Sequence, residues 1–285
     1  MTGHASERTV PQETACYTYY LGNQPQPRVC AVSFFNTVPL VWGMLHGEQR
    51  GLFDLSFAVP SQCADRLASG RADIGIVPVA ELLKQKLDIL PGCGIACHGP
   101  VRSILLISKV PFGQIGTLAA DSSSRTSVML SRIILAKKFG AEPEVITHPP
   151  DLNAMLDRWD AALIIGDPAL VMDPEKLPYR WLDLGGEWTA MTGLPFVFAV
   201  WAARPDSPTH DPAPFLASLR YGQAHIDEIV ALSHEKLGIS PELARVYLTQ
   251  HIVFDLGERE HAGLSLFVKY VEELQHQSEL RNVTV

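Results

Sequence analysis

Ser122, Ser123, Ser124, Arg125, Thr126 and Ser127 stand in one unbroken row and bring five hydroxyls and a guanidinium to the start of an apolar helical run. A helix N-terminus presents backbone N–H groups without intrahelical partners and carries about half a positive charge, so it binds carboxylates and phosphates. One hydroxyl is enough for an N-cap. Ser123, Ser124, Arg125 and Thr126 therefore read as donors added to a helix mouth, a cradle for an anion. The far end agrees with a helix over 124–139, because Lys137 and Lys138 fall in its last turn and Gly140 follows.

Three further junctions place polar residues where a strand gives way to a turn. Asn36 and Thr37 follow an apolar run and precede Pro39. They are either a plain cap or an amide and hydroxyl aimed at a ligand. Arg102 and Ser103 open a strand out of a Gly/Pro loop, where a small polar group can fix a ligand's orientation. Gly166 and Asp167 close another strand, and Thr192, Gly193 and Pro195 lead tightly into a further one. Glycines there allow backbone to approach a ligand closely, although Asp167 can equally cap a short helix beginning at Pro168.

What is missing narrows the chemistry. The sequence shows no Ser/His/Asp triad, P-loop or dinucleotide glycine motif. Cys93, Cys97 and His98 lie close together, but their spacing is wrong for zinc and no second ligand pair follows. No metal and no cofactor are expected. The candidate site is rich in neutral donors and poor in strong bases.

These junctions need elements to hold them. From Arg28 the chain alternates strands ("VCAVSF", "FDLSFAV", "ADIGIVPV", "VRSILLIS") with helices ("TVPLVWGMLHG", "PSQCADRLASG"). Pro111, Gly113 and Gly116 mark a crossover, after which "TLAA", "EVITH", "DAALIIG", "YRWLDLG" and "FVFAVWAA" repeat the alternation. Four prolines within 203–214 mark a second crossover, and everything beyond reads as helix. The alternation predicts mostly parallel sheets covered by helices. Residues 1–27 are expected to form a flexible extension. The first lobe is expected from 28–111 and 205–285, the second from 112–204, with a ligand cleft between them.

Composition sets the outer limits. In 285 residues, 47% are hydrophobic and 19% charged, which suits a globular chain with a sizeable core. A net charge of −8 without a basic stripe argues against nucleic acid as a partner. No apolar stretch reaches bilayer length and no secretory signal is visible, so no membrane partner and a cytoplasmic location are expected. Five cysteines without a disulfide framework fit a reducing compartment.

Taken in order, "SFFNTVPL", "VPSQCADRLASGRADIGIVPVAELL", "DSSSRTSVMLSRIIL", "ALIIGDPAL", "DLGGEWTAMTGLPFVFAVWA" and "YLTQHIVFDLGEREHAGLSLF" resemble the chorismate dehydratases of the futalosine route to menaquinone. The resemblance runs over roughly 28–275, and Cys30 departs from it where the family often has a small residue. It implies a two-lobed α/β fold of the type II periplasmic-binding-protein kind with a helical C-terminal tail. It also implies a hydro-lyase that converts chorismate, a small dicarboxylate, to 3-[(1-carboxyvinyl)oxy]benzoate and water. On that reading Asn36 and Ser103 contact the reacting centre. Thr37, Ser123, Ser124, Arg125, Thr126, Gly166, Asp167, Thr192 and Gly193 bind substrate, and a substrate carboxylate serves as the base. The alternatives are the related 1,4-dihydroxy-6-naphthoate synthase and a cytoplasmic small-anion binding or sensor protein of the same fold.

Overall fold

In the computed structural model, residues 26–283 are described, so the extension expected at the N-terminus lies almost wholly outside them. Strand β1 (Arg28–Val32) is an apolar run flanked on both sides by parallel neighbours, β2 (Asp54–Ala58) and β3 (Ile74–Pro78). Helices α1 (Val38–His46) and α2 (Pro60–Ala68) form the crossovers, each with proline in its first two positions, where a missing N–H breaks no bond. Helix α2 turns Cys63, Ala64 and Leu67 inward and its polar residues outward. The Cys63 Sγ lies 3.0 Å from that of Cys30 on β1.

Beyond them come β4 (Asp88–Cys97), β5 (Ile104–Ser108), β6 (Thr117–Asp121), α3 (Thr126–Ile134), β7 (Glu144–His148), α4 (Leu152–Arg158), β8 (Ala161–Ile165) and α5 (Gly166–Leu170). The chain continues with β9 (Arg180–Asp183), α6 (Leu184–Thr192), β10 (Phe196–Ala203), α7 (Ala213–Ala224), α8 (Ile226–Leu237), α9 (Pro241–Val246), β11 (Val253–Asp255) and α10 (Glu258–Val283). Wide turns of π type extend α3 over Leu135–Phe139 and α9 over Tyr247–His251. Gly140, left-handed at φ 66°, stops the first of these, as its position in the sequence suggested.

Among the described residues the strands form two sheets, ordered β11-β4-β10-β3-β1-β2 and β7-β6-β8-β5-β9. Neither is mostly parallel. β10 runs antiparallel to β3 and β4, β11 to β4, and β5 to both β8 and β9. The alternation of strand and helix was real, but the two strands that carry the chain between lobes enter their new sheets reversed.

Sheet membership also moves the lobe boundaries. β5 belongs to the second sheet and β10 to the first, so the changeovers fall at 98–103 and 184–195, not near 111 and 204. The Pro/Gly clusters used as boundary signals are surface turns within each lobe. Two strands were hidden from the sequence. "PGCGIACHG" is part of β4, where a Cβ on Gly94 would lie 2.5 Å from the Ala199 carbonyl of β10, so glycine serves close strand approach. The tail expected as all helix contains β11, which pairs with β4.

Helix α10 ties the two lobes together. Its Phe267 and Tyr270 meet Trp188 of α6 edge-on, Phe267 also meets Phe196 of β10, and Glu273 pairs with Lys137 at 2.7 Å. No helix among the described residues is long and apolar enough to cross a membrane.

Candidate active site

Between the sheets lies a cavity with about 570 Å³ of empty space including its mouth. Its polar lining comes from Asn36, Thr37, Ser103, Ser124, Arg125, Thr126 and Ser127, and its apolar lining includes Phe34, Ile76, Ile95 and Phe198. Gly166 also borders it. None of the lining residues is Asp, Glu, His, Lys, Cys or Tyr. Nothing in the wall itself can take a proton from carbon near neutral pH.

One wall is the mouth of α3. Arg125 occupies the N-cap position with no side-chain cap, so the first-turn N–H groups are left to whatever enters the cavity. Ser124, Thr126 and Ser127 are buried around that mouth. The Arg125 guanidinium is already partnered, with Asp65 at 2.6 Å and Glu81 at 2.9 Å, both from the first lobe. The Thr126 hydroxyl accepts the Ala80 N–H at 3.2 Å, and the Ser61 N–H donates to the Ser123 carbonyl at 3.2 Å. The helix mouth is thus stitched to the opposite lobe along its length.

The facing corner is built from three distant segments. Asn36 and Thr37 sit on a 3₁₀ turn, Phe35–Thr37, directly after β1. Ser103 lies one residue before β5, so it opens a strand of the second sheet rather than ending one of the first. Its position is held by a strained neighbour. Arg102 has φ 64°, an uncommon conformation for a residue with a side chain. The Asp183 carboxylate fixes that turn by accepting the Val101 N–H at 3.0 Å and the Arg102 N–H at 2.6 Å while also capping α6 through the Gly186 N–H. Burial raises the Asp183 carboxyl above its ordinary range against these bonds.

Tyr247 completes the corner. It is fully buried, and its phenol donates to Ser103 Oγ at 2.9 Å. Sequence reasoning did not single it out, although it begins the last of the matched stretches. Burial pushes its phenol well above the ordinary tyrosine range, so it stays protonated.

Four residues expected at the site do not line the cavity. Ser123 turns its hydroxyl and its N–H onto Asp121 at 2.7 and 2.9 Å. Thr192 bonds the Trp188 carbonyl at 2.8 Å, and Gly193, at φ 71°, ends α6 with its carbonyl toward Arg259. Asp167 crosses between lobes and accepts the Phe35 N–H at 2.9 Å from a neighbouring groove that also contains Trp42 and Phe57. Burial pushes its carboxyl up to about 6. Gly166, at φ 64°, has no room for a side chain, since a Cβ would lie 2.5 Å from the Phe34 ring. His98 and Glu260 meet each other at 2.5 Å, and Cys93 and Cys97 are buried on β4.

Two mixed sheets joined by paired changeovers, with donors gathered in the cleft between them, define a periplasmic-binding-protein-like fold. Protein AF1704 from Archaeoglobus fulgidus has the same fold at a TM-score of 0.66 and 18% identity, covering 88% of this chain and 98% of that one. The periplasmic aliphatic sulphonate binding protein from Escherichia coli follows at 0.59 and 15%, covering 90% and 89%. Sequence carries the assignment further. Residues 27–273 match the family described as menaquinone biosynthesis, and the chain belongs to that family. A chorismate dehydratase of Thermus thermophilus is 31% identical over 238 residues, 76% of this chain and 86% of that protein. Another, from Campylobacter jejuni, is 30% identical over 141 residues, covering 50% and 49%.

Proposed function

We propose that this protein is a chorismate dehydratase, a carbon–oxygen hydro-lyase that converts chorismate to 3-[(1-carboxyvinyl)oxy]benzoate and water. The observation that carries the reading is the cavity wall: hydroxyls, an amide and an uncapped helix mouth, with no side chain able to act as a base. Such a wall suits a dianion that brings its own base. One substrate carboxylate docks at the mouth of α3, beside Ser124, Thr126 and Ser127, with Arg125 at its edge. A substrate carboxylate removes the ring proton beside the enolpyruvyl ether. The neighbouring carbon–oxygen bond breaks with its electron pair on oxygen, the same proton then completes water, and the ring becomes aromatic. Asn36 and Ser103 hold the reacting carbons and the departing oxygen in line, which is orientation and hydrogen bonding rather than proton abstraction.

The remaining expected binders have supporting parts. Gly166 gives room at the cavity edge, Asp167 holds the turn that carries Asn36, and Ser123 shapes the loop into α3. Thr192 and Gly193 are second-rank binders, reached only by a ligand extending past the cavity. No cofactor enters this scheme, and the cytoplasmic location expected from the sequence belongs to the same proposal.

Purified protein incubated with chorismate is expected to yield a product lighter by one water, seen by mass spectrometry. Chorismate that is bound but returned unchanged would favour a binding protein, the reading supported by the sulphonate-binding fold neighbour. Abolition of turnover by Asp167→Asn or His98→Asn alone, with chorismate binding intact, would overturn the substrate carboxylate as base.

A further inference from the structure

Two side-chain hydrogen bonds in the corner facing α3 have a direction. The Thr37 hydroxyl donates to Asn36 Oδ1 at 3.4 Å. The Asn36 side chain acts on the Tyr247 phenol, as Ser103 does, and both favour its charged form against burial. The phenol has only one proton, and it goes to Ser103 Oγ at 2.9 Å. A serine hydroxyl that accepts from tyrosine keeps its own proton for another acceptor. Ser103 is 1% exposed and borders the cavity, so the open direction for that proton is into the cavity.

The Tyr247 ring is held in place and its phenol stays protonated. Tyr247 is fully buried, with the Phe35 ring stacked 6.1 Å away at 19°, and Asp167 and Asp183 nearby disfavour a phenolate. It sits on the first residue of the π turn that follows α9, a kind of helix irregularity common at functional sites. The bond from Tyr247 polarises the Ser103 hydroxyl, so its O–H is a better donor than a free serine.

We propose that Tyr247 is a positioning residue: bonded to Ser103, its buried phenol turns the Ser103 proton into the cavity, toward the oxygen that leaves the substrate. The inference rests on the dehydratase reading above, and it adds to it a reason why two neutral side chains can act. The pair gives up no proton, because water is completed by the proton taken from the ring carbon. What Tyr247 supplies is orientation, and orientation has a kinetic signature. A misaligned hydroxyl lowers kcat while leaving the anion mouth, and hence KM, nearly unchanged.

The test is Tyr247→Phe, which keeps ring and packing and removes only the donor, measured beside Ser103→Ala and the double variant in the full-length protein. Tyr247→Phe is expected to lower kcat roughly tenfold to a hundredfold with KM within about threefold. The double variant is expected to be no worse than Ser103→Ala, since both act through one proton. If Ser103→Ala is impaired while Tyr247→Phe keeps kcat within about twofold, the positioning role falls and the dehydratase reading stands. Additive losses in the double variant would equally overturn it. If the wild-type protein leaves chorismate unchanged, the dehydratase reading falls first. The Tyr247–Ser103 bond is then judged by NMR, where the Tyr247 hydroxyl proton is expected to shift in Ser103→Ala. An unmoved resonance would overturn the bond whatever the substrate.

Discussion

The two walls of the cleft are furnished differently. In the corner of Asn36, Tyr247 and Ser103, the polar side chains carry no charge, Tyr247 bonds to Ser103, and a strained turn held on Asp183 fixes Ser103. At the mouth of α3 the bonds run outward, from Arg125 to Asp65 and Glu81 and from Ala80 to Thr126, so the wall belongs to both lobes at once. Both walls draw on both lobes, since Asn36 follows β1 and Ser103 opens β5, but one is joined by neutral hydrogen bonds and the other by ion pairs. Orientation at a reacting centre tolerates little freedom, whereas capturing an anion needs an opening that can close on it.

Mutating each wall should separate those roles, and the largest effect is expected in the neutral corner. Asn36→Ala removes an amide proposed to contact the reacting centre and is expected to cut kcat by roughly a hundredfold or more with a small change in KM. Equal loss in kcat and in substrate affinity would erase the contrast between the walls. Arg125→Ala is expected to act the other way, raising KM and the chorismate dissociation constant roughly tenfold while kcat at saturation changes little. Its thermal midpoint should also drop, because Glu81 is 1% exposed and would lose its guanidinium partner. Unchanged KM and dissociation constant would remove Arg125 from the binding wall.

Asp167 probes the seam between the walls through pH. Its carboxyl is raised from 3.8 to about 6 by burial, so between those values the native state holds a proton that the unfolded chain has released. The stability this group contributes is full below pH 3.8 and is lost as pH climbs through about 6, by up to about 3 kcal/mol. Asp167→Asn is expected to flatten that part of the stability curve. Denaturant titrations across the window check it, and an unchanged slope would mean that Asp167 titrates normally. The smallest effect is expected from Thr192→Val, whose hydroxyl bonds within its own turn, to the Trp188 carbonyl and from the Leu194 N–H. It should cost about 1 kcal/mol of stability and leave KM within about twofold. A clear rise in KM would bring that turn back to the ligand.

The sequence was most legible where physical effects are local. Prolines at 39 and 60 opened α1 and α2, Gly140 ended the run from α3, and the apolar strands of 28–78 lay where their pattern placed them. The hydroxyl row at 122–127 announced a helix mouth because capping and the helix dipole act within one turn. β4 was not legible, since its glycines and cysteines resemble a loop until β10 is seen pressing against Gly94. The direction of β5 and β10, and therefore the true lobe boundaries, could not be read from runs that look alike in either orientation.

By itself, then, the sequence determined most of the elements, the family and the donor-rich, base-poor character of the site. Only the tertiary structure decided which donors meet. Tyr247 lies 144 residues from Ser103 along the chain, and Arg125 lies 60 from Asp65. No local spacing encodes such pairings, because they arise from burying apolar faces that bring remote polar groups into contact, where each must find a partner or remain costly. That same requirement set the buried Tyr247 phenol against Ser103 and furnished the neutral wall of the cleft.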